Sequence, residues 1–388
     1  MRIIDIRECS IPVSRYADPA LRSGDLTTSL VMVTTDAVRA GRPVIGYGYA
    51  SVGRYAQGGL MRERFVPRLL AARPEALCDA TSGALDPRRA WDVMMAGEKP
   101  GGHGERCVAV GVLDMALWDT AAKLAEEPLH AVLARARGRG REVPARIRVY
   151  AGGGYRYPRN DLERLADEMR RFVDQGFTHA KMKIGGVPIE DDLKRIEAAM
   201  RRLPAGAHLA VDAMNAYDLE TGLTAAAHLA PLGLWWFEDI CDPHDFTAQA
   251  RVASAYAHPV AAGEALFSLA EARLLDAHGG LRRDRDFLLF DPVHCYGLTG
   301  YLRIVEHLTQ QGWPRSAFWP HGGHLFSLHI AAALGLGGAE VTPFAFHPFS
   351  HLSDRLRISE GHVDLPQQPG IGFELNPDIM QAFATAFA

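Results

Sequence analysis

The sequence predicts an α/β protein in which a (β/α) barrel follows an N-terminal α+β domain. From about Arg146 onward, short apolar segments alternate with amphipathic helical segments, as parallel strands covered by helices do. About eight such strands occur within about 200 residues, and this density favours a closed barrel over an open sheet. The first strand is not followed by G-x-G-x-x-G, which counts against a dinucleotide-binding fold.

The N-terminal part of the chain combines strands with helices. A helical segment is predicted around residues 60–72. A longer helical pattern runs from Val108 towards Leu133, and Pro128 is expected to end it. Three alternating, strand-like runs precede these helices: residues 2–11, 28–35 and 44–50.

The barrel elements follow from periodicity. Ile189, Leu193, Ile196 and Met200 recur every three or four residues, which predicts one face of a helix that starts after Pro188. Eight apolar segments are the predicted strands: residues 147–152, 179–184, 208–211, 234–237, 259–262, 287–290, 317–319 and 341–346.

Composition and charge exclude several classes of protein. Hydrophobic residues make up 48% of the 388 residues and charged residues 23%, so a core can form and a disordered chain is excluded. The 42 Lys and Arg against 46 Asp and Glu give a net charge of −4, so nucleic acid is not an expected partner. No run approaches the roughly 20 apolar residues that cross a bilayer, so no membrane partner is expected.

The N-terminus and the cysteines indicate a compartment. The first 13 residues alternate like a strand and carry Asp5, Arg7 and Glu8, unlike a signal peptide. The five cysteines are far apart and never in C-x-x-C spacing, which predicts neither disulfides nor a structural zinc site. We therefore expect a reduced, soluble, cytoplasmic protein.

Titratable residues occur at the ends of six successive predicted strands. Barrel active sites lie at the carboxyl ends of the strands, so these side chains are candidates for one site. Their intervals of 29, 26, 26, 27 and 30 residues correspond to one βα unit each. The six residues are Lys183, Asp212, Glu238, Glu264, Asp291 and His321.

Three of these residues form a candidate metal site. Asp212, Glu238 and Glu264 follow consecutive strands and would converge, and three unpaired anions close together are costly. An all-oxygen set with open positions suits Mg²⁺, and zinc is disfavoured because no His or Cys joins the set. The alternative is that these acids pair with arginines.

Bases flank the candidate metal site. Lys181 and Lys183 alternate along one strand, so both enter the barrel. Their mutual repulsion, together with the nearby divalent cation, predicts a lowered pKa and a lysine able to act as a general base. Asp291 is placed to accept from Nδ1 of His321 and to fix its tautomer, so we expect a second base on the other side of the barrel.

These motifs resemble the enolase superfamily, within its mandelate racemase subgroup. The resemblance rests on Lys181-x-Lys183, the three acids, the Asp291–His321 pair and residues 112–119 (VLDMALWD). It implies Mg²⁺, a modified (β/α)7β TIM-type barrel over residues 129–349, and usually a symmetric homo-oligomer. It also implies an N-terminal α+β capping domain over residues 1–128, rejoined by the C-terminal tail 350–388.

Several loops further resemble the D-tartrate dehydratases of that subgroup, namely residues 53–59, 98–106, 181–186 and 320–324. One departure is that the family usually places Asn two residues after the first metal ligand, where this chain has Met214 followed by Asn215. Either Asn215 serves instead, or a polar contact near the metal is lost. The G-x-P-L that usually follows residues 112–119 is also altered.

The resemblance implies a dehydratase of a small hydroxy-dicarboxylate or acid sugar. Lys181 and Glu340 would hold the substrate carboxylate, and Lys183 or His321 would abstract the α-proton. The opposite catalyst, His321 as imidazolium, would protonate the departing β-hydroxyl. A racemase or epimerase using the same pair is the alternative. A metal-dependent hydrolase is disfavoured because it would need a His-x-His at the end of an early strand, which this sequence lacks. A barrel that only binds a ligand is disfavoured because it would need no catalytic bases.

The predicted substrate is D-tartrate, converted to oxaloacetate. A diacid needs cationic or amide donors for its second carboxylate. The candidates lie in the loops 16–25 and 51–59 and in the segment 99–103. The residues predicted to bind substrate, besides Lys181 and Glu340, are Arg54, Lys99, Gly101, Gly102, Tyr155 and Asn215.

Overall fold

The computed structural model describes residues 1–16, 21, 24, 26–51, 54–136, 143–347, 349, 352 and 356–388. Most of the predicted loop 16–25, and the first two residues after Ser51 in the loop 51–59, therefore lie outside the described residues. So do residues 350, 351 and 353–355 of the predicted C-terminal tail.

The N-terminal part of the chain contains an antiparallel sheet of order β1-β2-β3, formed by β1 (Ile3–Pro12), β2 (Thr27–Arg39) and β3 (Arg42–Tyr49). Its helical segments are α1 (Gln57–Leu60), a π-helical segment (Met61–Phe65), α2 (Val66–Ala71), α3 (Pro74–Leu77), α4 (Pro87–Met95) and α5 (Glu105–Leu124).

The long helix α5 packs directly on strand β3. Gly46 permits this approach, because a Cβ there would lie 2.0 Å from Oγ1 of Thr120. The backbone N–H of Tyr47 donates to Oδ2 of Asp119 at 2.9 Å. The predicted helix towards Leu133 is in fact two helices, because α5 ends before Pro128 and a new helix starts at Leu129.

The barrel is confirmed. Parallel strands run in the order β4-β5-β6-β7-β8-β9, and β10 pairs back onto β4. The strands are β4 (Arg146–Gly152), β5 (His179–Lys183), β6 (His208–Asp212), β7 (Phe237–Glu238), β8 (Val260–Ala262), β9 (Phe287–Leu288) and β10 (Ala339–Val341).

Two predicted strands differ from the structure. In place of the strand 317–319, only Phe318 forms a bridge to Leu288, and Pro320 has no N–H with which to extend the ladder. The last predicted strand, 341–346, is replaced by β10. It ends at Val341 because Pro343 follows two residues later.

Helices alternate with the barrel strands, as predicted. Local sequence explains several helix starts, since Asp218, Asp245 and Ser268 each accept a backbone N–H of the first turn. The helices are α6 (Leu129–Ala136), α7 (Asp161–Asp174), α8 (Ile189–Met200), α9 (Leu219–Leu229), α10 (Phe246–Ala255), α11 (Leu269–His278), α12 (Gly297–Gln310) and α13 (Leu325–Leu334). Short 3-10 helices lie at Ala230–Leu232 and Arg315–Ala317.

The C-terminal residues contact both parts of the chain. A hairpin of β11 (Ile358–Ser359) and β12 (His362–Asp364) pairs with β4. A 3-10 helix (Phe373–Leu375) precedes α14 (Pro377–Ala386), where Phe383 packs 4.8 Å from the ring of Tyr47. The domain boundaries at 128/129 and 349/350 stay a prediction. No helix within the described ranges is long and apolar enough to span a bilayer.

Candidate active site

The strand-end residues converge at the carboxyl end of the barrel. In the parallel register, Lys183 of β5 lies opposite Asp212 of β6, and Asp212 lies opposite Glu238 of β7. This register places the last residue of each strand beside the last residue of the next strand. Residues that are one βα unit apart in the sequence therefore lie next to one another in space.

Three carboxylates form an all-oxygen cluster. Asp212, Glu238 and Glu264 each offer an oxygen atom, and these atoms lie within 4.8 Å of one another. Asp212 and Glu238 are buried, and burial raises the pKa of Glu238 well above its usual range. Oε2 of Glu264 is buried and makes no hydrogen bond with the described residues, its near contact being the ion pair with Nε2 of His321 at 3.1 Å. Crowded anions with an unsatisfied oxygen fit a hard divalent cation such as Mg²⁺.

Both lysines point into this cluster, as predicted from their alternation. Nζ of Lys181 lies 2.5 Å from Oε1 of Glu238, 3.5 Å from Oδ2 of Asp212 and 3.4 Å from Oε1 of Glu340. Nζ of Lys183 donates a hydrogen bond to Oδ2 of Asp212.

The predicted lowering of the lysine pKa values refers to a site that holds a divalent cation, whereas the protein groups alone raise the pKa of both lysines. Burial opposes the charged form of both lysines, but the surrounding carboxylates outweigh it. Asp212 raises the pKa of Lys183, and Glu238 and Glu340 raise that of Lys181. The lowered pKa of a metal-bound site therefore stays a prediction.

His321 faces the cluster from the opposite side. Its Nδ1 lies 2.9 Å from Oδ2 of Asp291, and its Nε2 lies 3.1 Å from Oε2 of Glu264 and 3.6 Å from Oε2 of Glu340. Burial disfavours the imidazolium, but Glu264, Glu340 and Asp291 together raise the pKa of His321 to about 10. The histidine and the lysines thus approach the cluster of carboxylates from different parts of the barrel.

Two residues beside Asp291 were missed by the sequence analysis. Ser51 donates to Oδ2 of Asp291 at 2.6 Å and lies 2.9 Å from Nε2 of His324. His294 follows Asp291 by three residues, and its Nδ1 lies 3.2 Å from the backbone oxygen of Glu264. Burial lowers the pKa of His294. Its position just beyond a strand-end acid was the only signal in the sequence.

A cavity of about 200 Å³ opens above the carboxylates. Its predicted lining residues are Arg54, Tyr155, Lys183, Glu264, His321 and Glu340, and the predicted loop 51–59 also contributes Ser51. Arg15, Met214 and His294 add lining that was not predicted. Arg15 packs over the ring of Tyr155, and Arg54 packs over the ring of Phe267, 4.5 Å from its centroid. The cavity therefore has a carboxylate-rich floor and two guanidinium groups on its walls.

Five predicted substrate-binding residues do not line this cavity, and one of them, Lys181, is fully buried beneath it among the carboxylates. The backbone oxygens of Lys99 and Gly101 accept from Arg106, and Gly101 and Gly102 are exposed. The side chain of Asn215 donates to the backbone oxygen of Cys241 at 2.8 Å, while Met214 faces the cavity in its place. Both 214 and 215 have positive φ, and this backbone turn directs the two side chains apart.

Comparisons with known proteins agree with this geometry. A family described as "Enolase C-terminal domain-like" matches residues 164–379. The chain is 27% identical over 306 residues to arabinonate dehydratase of Saccharolobus solfataricus, covering 76% of this chain and 77% of the relative. It is 30% identical over 288 residues to 3,6-anhydro-alpha-L-galactonate cycloisomerase of Streptomyces coelicolor, covering 74% and 73%.

A solved structure extends the likeness to both parts of the fold. L-talarate dehydratase from a Polaromonas species, complexed with Mg and L-glucarate, superposes with a TM-score of 0.72 at 25% identity. The match covers 95% of this chain and 92% of that chain, so it includes the N-terminal sheet and helices as well as the barrel.

Proposed function

The chain belongs to the enolase superfamily, and on that premise we propose that it is a Mg²⁺-dependent acid-sugar dehydratase. The observation that carries the proposal is the convergence of Asp212, Glu238 and Glu264 below a cavity that both Lys183 and His321 line. The names of the relatives support the reaction, since arabinonate dehydratase and L-talarate dehydratase are both acid-sugar dehydratases.

The three acids are the proposed ligands of the cation. Lys181 and Glu340 lie beside them and would hold the substrate carboxylate, with Lys181 donating hydrogen bonds to its oxygens. When bound, Mg²⁺ would supply positive charge that stabilises an enediolate, and it would draw Asp212 away from the lysines, favouring a neutral Lys183.

The two catalysts have complementary roles in the proposed reaction. Lys183 takes the α-proton at Nζ, and the electrons of the C–H bond pass into the enediolate. The Asp291 carboxylate fixes Nδ1 of His321 and so leaves Nε2 to donate towards the cavity. That proton passes to the β-hydroxyl oxygen as the C–O bond breaks, and water leaves. The resulting enol tautomerises to a 2-keto acid.

We propose a dicarboxylate substrate, with D-tartrate and its product oxaloacetate as the specific candidates. The two guanidinium groups of Arg15 and Arg54 on the cavity wall supply cationic partners for a second carboxylate. The small cavity of about 200 Å³ also favours a short acid. The loop resemblance to D-tartrate dehydratases supports the same choice.

A coupled assay tests the substrate. With Mg²⁺, D-tartrate and malate dehydrogenase, NADH should be consumed as oxaloacetate appears. Arabinonate and galactarate are run in parallel with a direct assay for 2-keto acids. NADH loss with D-tartrate supports the full proposal. Keto acid from arabinonate or galactarate alone would keep the dehydratase and discard D-tartrate.

The proposed reaction has one rival with the same residues. A racemase or epimerase would exchange the α-proton and invert the carbon without forming keto acid. NMR in D₂O separates the two outcomes. We also propose a homo-oligomer, in line with the superfamily resemblance, and light scattering coupled to gel filtration tests its size.

A further inference from the structure

His294 presents an unsatisfied nitrogen atom in the candidate active site. The residue is only 4% exposed, yet it lines the cavity that Lys183 and His321 also line. Its Nε2 atom is buried and has no hydrogen-bond partner in the part of the chain that the structure describes. A buried polar atom without a partner is costly, so a site that retains one is suited to a ligand that satisfies it.

The imidazole ring of His294 is held in one orientation. Its Nδ1 lies 3.2 Å from the backbone oxygen of Glu264, and a carbonyl oxygen can only accept, so Nδ1 carries a hydrogen. The backbone N–H of His294 lies 3.3 Å from Oδ1 of Asp291, and the ring packs 4.9 Å from the ring of Phe267. In the neutral ring, Nε2 is therefore an acceptor fixed in place beside the cavity.

The ring of His294 lies on the same side of the cavity as that of His321. The two ring centroids are 6.1 Å apart and both residues line the cavity, so one substrate group can lie between the two rings. His321 is the proposed proton donor to the leaving hydroxyl. That hydroxyl is a group that can both accept from one imidazole and donate to the other.

We propose that His294 is a further catalytic residue, which accepts a hydrogen bond from the β-hydroxyl that the substrate loses. The proposal rests on the proposed function. His294 Nε2 accepts the hydroxyl hydrogen and thereby directs an oxygen lone pair towards His321. His321 gives its Nε2 proton to that oxygen, the C–O electron pair moves to oxygen, and water leaves. His294 neither gains nor loses a proton.

Two amide substitutions distinguish the roles of the two ring nitrogens of His294. His294→Asn places an amide near the former Nδ1, which keeps a donor for the Glu264 carbonyl but leaves the Nε2 position empty. His294→Gln places its amide near the former Nε2 and restores an acceptor there. Tyr256→Phe is the control, because it removes another buried polar atom that has no hydrogen-bond partner among the described residues, one that does not line the cavity.

The partition between proton exchange and elimination is the readout. Each protein is incubated in D₂O with Mg²⁺ and D-tartrate, galactarate or arabinonate, and NMR follows α-deuteration and 2-keto acid formation. His294→Asn should slow elimination about 10- to 100-fold while α-proton exchange changes less than about 3-fold. His294→Gln should recover most of the elimination rate, and Tyr256→Phe should change neither rate.

The outcomes separate the inference from the proposed function. If the wild type neither exchanges nor eliminates with any of the three acids, the proposed function fails and this inference with it. If the wild type dehydrates an acid but His294→Asn slows exchange and elimination equally, or retains both, the inference alone is overturned. The inference would also be overturned if His294→Gln eliminated water no faster than His294→Asn.

A measurement on the wild type covers the case in which His294→Asn does not fold. With ¹⁵N-labelled histidine, saturation with D-tartrate should shift the Nε2 resonance of His294. Succinate, which lacks both hydroxyls of tartrate, should not shift it. Equal shifts with both acids would overturn the inference.

Discussion

Lys183 and Asp212 lie opposite each other in the register of β5 and β6, and Nζ of Lys183 donates a hydrogen bond to Oδ2 of Asp212. The same oxygen lies 3.5 Å from Nζ of Lys181. One carboxylate thus joins both lysines to the cluster of acids. A cation at the acids and a proton on Lys183 would compete for the same negative charge, so metal binding and the state of the base are linked.

Removing one acid should abolish stabilisation by Mg²⁺. For the wild type, Mg²⁺ at about 100 times its dissociation constant should raise the free energy of unfolding by about 2.7 kcal/mol. Glu264→Gln should lose most of this gain but remain folded without metal, because the change relieves repulsion among the carboxylates. Thermal unfolding in the presence of Mg²⁺ or of a chelator measures the stabilisation by the metal. Glu220→Gln, on the exposed start of α9, is the control, and an unchanged Mg²⁺ response in Glu264→Gln would contradict the metal site.

Lys183→Ala and His321→Asn should affect different half-reactions. Each should lower dehydration about 10³-fold or more, since each removes a general acid or base. Lys183→Ala should also lose α-proton exchange, whereas His321→Asn should retain it because the base is intact. NMR in D₂O measures both processes on one sample. Near-normal dehydration by either variant would refute the two-catalyst mechanism.

Arg54→Met should discriminate between diacids and monoacids. The loss of the guanidinium should lower kcat/KM for D-tartrate and galactarate about 10²-fold and change that for arabinonate only a few-fold. Steady-state kinetics on the three acids measures this ratio. Arg62→Met provides the control, because Arg62 is exposed and pairs with Glu8 away from the cavity. Equal losses on diacids and monoacids would rule out a role for Arg54 in binding a second carboxylate.

His329 should make the fold sensitive to acid. Burial, with the nearby His130, lowers the pKa of His329 to about 3, and its Nε2 lies 2.9 Å from the backbone oxygen of Ile371. An unfolded histidine takes up a proton near pH 6.5, but the folded one does not until about pH 3. Stability therefore falls as pH drops through this window, by about 1.4 kcal/mol per pH unit from this residue.

The acid sensitivity can be assigned by substitution. His329→Gln keeps a donor for Ile371 but cannot titrate, so its loss of stability between pH 7 and 5 should be smaller than that of the wild type. Urea unfolding at both pH values, in the presence of a chelator, measures the difference. Equal losses in the two proteins would show that His329 does not titrate as its burial requires.

The sequence by itself determined the fold class and the six strand-end residues. It could do so because the βα repeat has a nearly constant length, and parallel strands of a barrel all end on one face. Lys183, Asp212, Glu238, Glu264, Asp291 and His321 therefore converge in the structure as their spacing predicts. Alternation along a strand likewise placed Lys181 beside Lys183.

Only the tertiary structure decided which other side chains reach the site and what charges meet there. Arg15, Ser51 and His294 enter the cavity, whereas Asn215 and Lys99 do not, because loop backbone directs each side chain with no repeating period to read. The pKa values of the lysines likewise depend on acids that lie 29 to 159 residues away in the chain and within a few ångströms in space. Periodicity fixes local direction, but distances between loops and the balance of charge arise only when the strands close into a barrel.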